Sequence, residues 1–143
     1  MKYILPLLVI LTSIIGSLAN IYINSDDWYS GLIKSPLNPP SYVFGIVWPI
    51  LYAIMAFVSF KIAEKISTLF IMQLIFNAAW SWLFFRFQMP LISLIDIYLL
   101  IALNLYITTL MYKENKLAFI LFIPYVLWIS FASYLNLFIV INN

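Results

Sequence analysis

Five stretches, residues 3–23, 43–63, 66–85, 91–112 and 117–141, each run for about 20 residues with almost no charge. A helix needs roughly that many apolar residues to cross the hydrocarbon core of a bilayer, because each residue advances it by only about 1.5 Å. An open strand edge would leave backbone groups unpaired in lipid, so runs of this length read as helices. Composition agrees: 66% hydrophobic residues, 8% charged residues and a mean hydropathy of +1.07 lie far from a soluble globular protein. The expected fold class is therefore an all-α integral membrane protein. Short polar breaks at Lys61, Glu64 and Lys65, at Arg86 to Pro90, and at Lys113 to Lys116 separate the later runs. Connections this short should pack successive helices antiparallel in a single bundle of five transmembrane helices, residues 1–143 forming one domain. Only the first loop, about 24–42, is long.

The same composition excludes several kinds of chemistry. The chain has no cysteine and no histidine, which removes thiolate nucleophiles, imidazole bases, zinc sites and the usual axial ligands of haem. No metal site is expected. Seven Lys and Arg against five Asp and Glu form no block that could follow a phosphate backbone, so nucleic acid is not an expected partner. Asp96 is the only acidic residue well inside a predicted span; it reads as a helix contact rather than a proton handle, since a lone carboxylate does not make a hydrolase.

Positive charge collects on the cytoplasmic side of membrane proteins. Lys2, Lys61, Lys65, Lys113 and Lys116 lie on the amino-terminal side, and Lys34 and Arg86 on the other. This predicts a cytoplasmic amino terminus, with the first loop and the carboxyl terminus outside. Ser17-Leu18-Ala19 after the first apolar run resembles a signal-peptide cleavage site, but the run continues through Ile21, Tyr22 and Ile23, which favours a retained span. Ser13 with Ser17, and Ser59 with Ala63, are small residues at four-residue spacing, compatible with close helix approach.

Because a membrane helix is apolar all round, information resides in polar and aromatic residues that share a face. Phe44, Trp48, Tyr52, Met55 and Ser59 form such a stripe on the second span. Gln73, Asn77, Trp80, Ser81 and Phe84 form one on the third, and Tyr125, Trp128, Ala132 and Asn136 one on the fifth. Each helix thus offers an indole and at least one hydrogen-bonding group. An aromatic pocket with a few amides suits a flat apolar ligand, with indole faces stacking on it and Asn77 and Gln73 fixing its edge. Trp28, Tyr29, Tyr98, Tyr106 and Tyr112 read mostly as interfacial anchors, and Trp82 as lipid-facing or a helix contact.

Three blocks, WYSGLIKSPLNPPSYVFGIVWPILY (28–52), QLIFNAAWSWLFF (73–85) and PYVLWISFASYLN (124–136), resemble the translocator protein family, also called the tryptophan-rich sensory protein family. The resemblance covers nearly the whole chain. It implies a five-helix bundle, usually a homodimer, with a pocket under the first loop that binds porphyrins and drug-like ligands. Carried over by position, the ligand-binding residues would be Tyr29, Pro39, Trp48, Tyr52, Asn77, Trp80, Leu83, Trp128 and Ala132. Trp48 and Trp128 match the tryptophans implicated in light-dependent porphyrin breakdown, and would be the catalytic residues if that reaction occurs here. The family commonly has tryptophan where Tyr42 stands and proline where Ile46 stands, which bears on pocket shape. The sterol motif of animal members has no counterpart after Tyr134; its loose pattern matches only at Leu110, Tyr112 and Lys116, so sterol is not an expected partner.

The expected function is binding of protoporphyrin, haem or a related planar ligand in the aromatic pocket, in the service of tetrapyrrole transport, sensing or disposal. No cofactor is required, and haem would be held by stacking rather than by iron ligation. A porphyrin-degrading enzyme and a scaffold without a ligand site are the alternatives. Pro36, Pro39 and Pro40 would stiffen the loop as a lid over the pocket, with Pro49 falling near the first turn of the second helix. Besides the ligand and a second copy of the chain, the partner is membrane lipid, and the expected location is a bacterial cell membrane.

Overall fold

The computed structural model describes residues 2–20, of Asn20 the backbone alone, and residues 28–143. The helices are α1 (Ile4–Asn20), α2 (Ser41–Lys61), α3 (Glu64–Ser81), α4 (Pro90–Glu114) and α5 (Lys116–Asn142). A five-residue π-helical turn, Trp82–Arg86, continues α3. Four of the five spans, counting α3 through Arg86, are long and apolar enough to cross a membrane. The 17 described residues of α1 are shorter; positions 21–23 of the predicted first span lie outside the described residues.

Local chemistry explains the boundaries. The residue before a proline is steered away from helical backbone, so Pro39 and Pro40 hold the chain extended and α2 begins immediately after them, two residues ahead of the predicted start. That earlier start corrects the placement of Pro49, which lies in the third turn of α2 rather than the first. There it removes the N–H that would bond the Gly45 carbonyl one turn back. Ile62 and Ala63 are extended and break α2 from α3. Pro90 opens α4 at its first turn, where its missing N–H costs nothing. Asn115 ends one helix and caps the next: its N–H bonds the Met111 carbonyl at 2.8 Å, and its side-chain oxygen accepts from Ala118 N–H at 3.2 Å. The π turn closes on Gln88, the one described residue other than glycine with positive φ, at 55°.

Helix α1 packs on α2 and α3, α4 packs on α3 and α5, and α5 packs on α2. The helices therefore close a ring in the order α1–α2–α5–α4–α3. This corrects the expectation that successive helices pack on one another: although Ile62 and Ala63 alone join them, α2 and α3 are separated in this ring by α1. All five helices contribute to one core, including Val9, Met55, Phe70, Ile107 and Phe122. Ile10, Ile50, Ile75, Leu105 and Leu127 point outward and are exposed. An apolar exterior surrounding a core that also holds Gln73, Asn77, Asn104 and Asn136 is what lipid demands: apolar groups face acyl chains, and amides must find partners within the bundle.

Candidate functional site

Inside the ring, at the end nearest the first loop, lies a half-open cavity of about 420 Å³. Its size falls within the usual range for small-molecule sites. Two indoles stand in its wall. On α2, Trp48 is followed one turn later by Tyr52, their rings 5.7 Å apart and tilted by 31°. On α3, Trp80 stacks on Phe84 at 5.6 Å and 24°. One turn beyond each indole, away from the loop, the Tyr52 hydroxyl donates to Asn77 Oδ1 at 2.5 Å. That bond ties α2 to α3 across the ring and closes the floor. From α1, Gly16 reaches the same level: a Cβ there would stand 3.6 Å from the Tyr52 oxygen and 3.7 Å from Ser81 Oγ.

The floor rests on a buried chain of amides and phenols. Asn77 Nδ2 donates to the Tyr125 hydroxyl at 2.8 Å, and Tyr125 donates to Gln73 Oε1 at 2.8 Å. Gln73 Oε1 also accepts from Asn104 Nδ2 at 3.3 Å. Hydrogen bonds from α2 through α3 and α5 to α4 thus occupy both atoms of the Asn77 amide and the oxygen of Gln73. Asn77 and Gln73, the amides expected at the ligand edge, are thus engaged by protein partners of fixed geometry, which stabilise a buried amide. A second cluster holds Trp80. Its Nε1–H donates to Asn136 Oδ1 at 3.0 Å, an oxygen that also accepts from Ser93 Oγ at 2.9 Å. Asn136 Nδ2 donates to the Pro90 carbonyl at 3.0 Å, so the indole plane is set by α4 and α5 together.

The loop forms the roof. Tyr29 and Asn38 line the cavity, and the Tyr29 ring lies edge-on to Phe84 and Phe85. Two attachments pin this segment to α5. The Ser35 and Tyr134 hydroxyls are 2.8 Å apart, and the Asn143 side-chain amide brackets the Ile33 peptide, accepting from its N–H at 2.9 Å and donating to its carbonyl at 3.0 Å. Partial burial raises the pKa of Tyr29 above 10.0, with the neighbouring Asn38 opposing, so its phenol is neutral at ordinary pH. The part of the predicted loop at positions 24–27 lies outside the described residues.

Of the nine ligand-binding positions predicted, Tyr29, Trp48, Tyr52, Trp80 and Ala132 line this cavity. Asn77, Pro39, Leu83 and Trp128 do not. Asn77 lies beneath the floor. Pro39 is in the roof, where its carbonyl accepts from the Asn38 side chain at 3.3 Å. Leu83 lies within the π turn, and its carbonyl accepts from Met89 N–H at 2.9 Å. Trp128 backs the wall: its ring lies edge-on to Trp48 at 6.4 Å and to Phe44 at 5.8 Å, and its buried Nε1–H has no acceptor. Trp82 proves to be a helix contact, donating to the Ile15 carbonyl at 2.8 Å. Asp96 is buried in α4, with Oδ2 making no hydrogen bond. Among the described residues, no group of three or more acidic residues is placed to hold a metal.

Sequence reasoning missed the α1 wall, which presents Ser13, Gly16 and Ser17 to the cavity. Its signal was there: small residues at steps of three and one within a helix otherwise rich in Ile and Leu leave room for a guest. Phe85 was missed for a different reason. A regular helix turns successive residues by about 100°, whereas the wider π turn brings Phe84 and Phe85 to the cavity together, their rings 4.7 Å apart.

Residues 4–141 match the TspO/MBR family. The chain is 36% identical to a "Tryptophan-rich protein TspO" of Chlorobaculum tepidum, over 76% of this chain and 75% of that protein. It is equally identical, 36%, to the protein of that name from Archaeoglobus fulgidus, over 81% of this chain and 80% of the other. Identity to the "Translocator protein" of Homo sapiens is 31%, over 76% and 70% of the two chains.

Proposed function

The chain belongs to the TspO/MBR family of membrane proteins, and from that premise we propose that its cavity binds a porphyrin or a related flat, largely apolar tetrapyrrole. The observation that carries this reading is the cavity itself, a void of about 420 Å³ walled by Trp48, Tyr52, Trp80 and Phe84 beneath Tyr29. Aromatic faces favour a planar guest through offset stacking and edge contacts. The small side of Ala132 leaves room on α5, while the Asn38, Ser13, Ser17, Ser41 and Ser81 side chains offer polar contacts at the margin. With no histidine or cysteine in the chain, an iron porphyrin is held by stacking, and a metal-free macrocycle suits the site equally well. Binding serves transport, sensing or disposal of the tetrapyrrole in a bacterial cell membrane, with the amino terminus cytoplasmic and the loop outside. Two copies of the chain pair in that membrane.

The test is titration of the purified chain in detergent with protoporphyrin, read by quenching of tryptophan fluorescence. Saturable quenching is expected, weakened more by Trp48→Phe, which removes a cavity wall, than by Trp128→Phe, which removes its backing. Quenching that does not saturate, or that the two substitutions together leave unchanged, rejects the site. The contact between the Trp48 and Trp128 rings favours a second reading, in which photoexcited porphyrin takes an electron from Trp48, the reduced macrocycle adds dioxygen, and the oxygen adduct returns one electron to the Trp48 radical cation, so that the macrocycle is oxidised by dioxygen and the indole is restored. A new tetrapyrrole product in light and air, absent in the dark and without oxygen, distinguishes that reaction from binding alone.

A further inference from the structure

The opposite end of the bundle carries a second cleft, of about 330 Å³, between the start of α1, the end of α2 and the start of α3. Two ammonium groups border it. Lys2 Nζ lies 4.6 Å from the centre of the Phe60 ring, and Lys61 Nζ 5.6 Å from that of Phe57, so aromatic faces hold both cations beside the cleft. The α3 helix begins here with Ala63 at its N-cap, a residue with no side chain to accept from the first N–H groups. The positive end of the helix dipole therefore faces the cleft without a side-chain cap. Ser67, one turn into α3, lines the cleft, is only 3% exposed, and its hydroxyl makes no hydrogen bond.

We propose that this cleft binds the phosphodiester headgroup of an anionic phospholipid. An uncapped helix N-terminus, flanking ammonium groups and an unused hydroxyl are the donors that a phosphate oxygen needs. Charge distinguishes the guest further. Among the described residues at the cleft, Lys2 and Lys61 against one carboxylate, Glu64, leave a single positive charge, and Lys65 takes up Glu114 in an ion pair. A phosphodiester carries one negative charge, whereas free phosphate near neutrality carries between one and two. The rest of the lining is Ser59, whose hydroxyl is spent on the Ala56 carbonyl at 2.7 Å, and the apolar Leu5, Phe60 and Ile62; outside it Ile4, Leu7 and Phe57 are exposed, a surface along which acyl chains can lie. This end also holds five of the seven basic residues, the distribution that marks the leaflet rich in anionic lipid. The proposal is independent of what the aromatic cavity binds.

The experiment is native mass spectrometry of the full chain released from mild detergent and titrated with dioleoyl phosphatidylglycerol or dioleoyl phosphatidylcholine. One phosphatidylglycerol is expected to be retained about tenfold more tightly than phosphatidylcholine, with Lys61→Gln or Lys2→Gln each abolishing most of that preference. Ser67→Ala reduces it by about threefold. Lys61→Arg keeps it, and so does Lys116→Gln, which removes a charge at the same end but outside the cleft. Should the lysine variants perturb the bundle, Ser67→Ala carries the test, because its hydroxyl has no protein partner to lose. Equal retention of the two lipids, or an equal loss in Lys116→Gln, overturns the proposal. Displacement of the lipid by millimolar inorganic phosphate overturns the lipid assignment in favour of a soluble anion.

Discussion

If the floor of the aromatic cavity is held by the Tyr52–Asn77 hydrogen bond, replacing Asn77 by leucine removes two side-chain bonds at once. Tyr125 retains Gln73 as a partner, so the loss on that side is one ordinary bond. The Tyr52 hydroxyl loses its protein partner but lines the cavity, where water can reach it, so it avoids the full penalty of a buried orphan. At roughly 0.6–1 kcal/mol per bond in a membrane interior, Asn77→Leu should destabilise the bundle by about 1–2 kcal/mol, and Tyr52→Phe by about 0.6–1 kcal/mol. In the double variant the Tyr52–Asn77 bond can be lost only once. Its cost should fall short of the sum of the single costs by about 0.6–1 kcal/mol. Reversible unfolding in mixed micelles, followed by circular dichroism across the four proteins, measures this coupling. Additivity within about 0.3 kcal/mol would refute the floor as described, because residues without a shared interaction add to that precision.

Gly16→Ala should leave both fold and ligand affinity nearly unchanged, since its Cβ meets only ordinary contacts. Gly16→Leu should extend into the cavity and cut protoporphyrin affinity by tenfold or more in the quenching titration, an occlusion of about 1.4 kcal/mol or above. Removing the attachments of the roof with Asn143→Ala or Tyr134→Phe should speed amide hydrogen exchange at Leu32 to Leu37 while leaving exchange in α3 and α4 unaltered; uniform exchange across all three segments counts against the pinning. Burial favours neutral Tyr29, and its folded pKa lies above the unfolded 10.0. Its contribution to roof closure should therefore be complete below pH 10 and decline as pH rises through the folded value, so affinity should stay flat between about pH 6 and 9. An affinity that falls with a midpoint below pH 9 would exclude Tyr29 as the group responsible.

The three aromatic stripes illustrate how far one-dimensional reasoning reaches. Trp48 with Tyr52, and Trp80 with Phe84, were legible because residues four apart on a helix stand above one another whatever surrounds them. Their convergence was not, since it depends on α1 separating α2 from α3 while α5 closes the ring on α2. The same arrangement brings Ala132 to the cavity and turns Trp128, one turn away on the same stripe, against Trp48 instead. The amides show a complementary limit. Composition and spacing identify Asn77, Gln73 and Asn136 as groups needing partners, but any nearby donor could satisfy them, and only packing assigns them to Tyr125, Asn104 and Trp80.

By itself the sequence determined the solvent, the spans and their breaks, because the cost of unpaired backbone and buried charge in lipid is large enough to override local preference. It also determined which rings share a face. Tertiary structure alone decided the ring order, the π turn that presents Phe84 and Phe85 together, the small-residue wall from α1, and the partner of each buried amide. The physical reason is that a membrane helix is apolar on every side, so hydrophobic periodicity, which tells inside from outside in water, says little about which face meets a neighbour; only the fit of side chains between helices supplies that information.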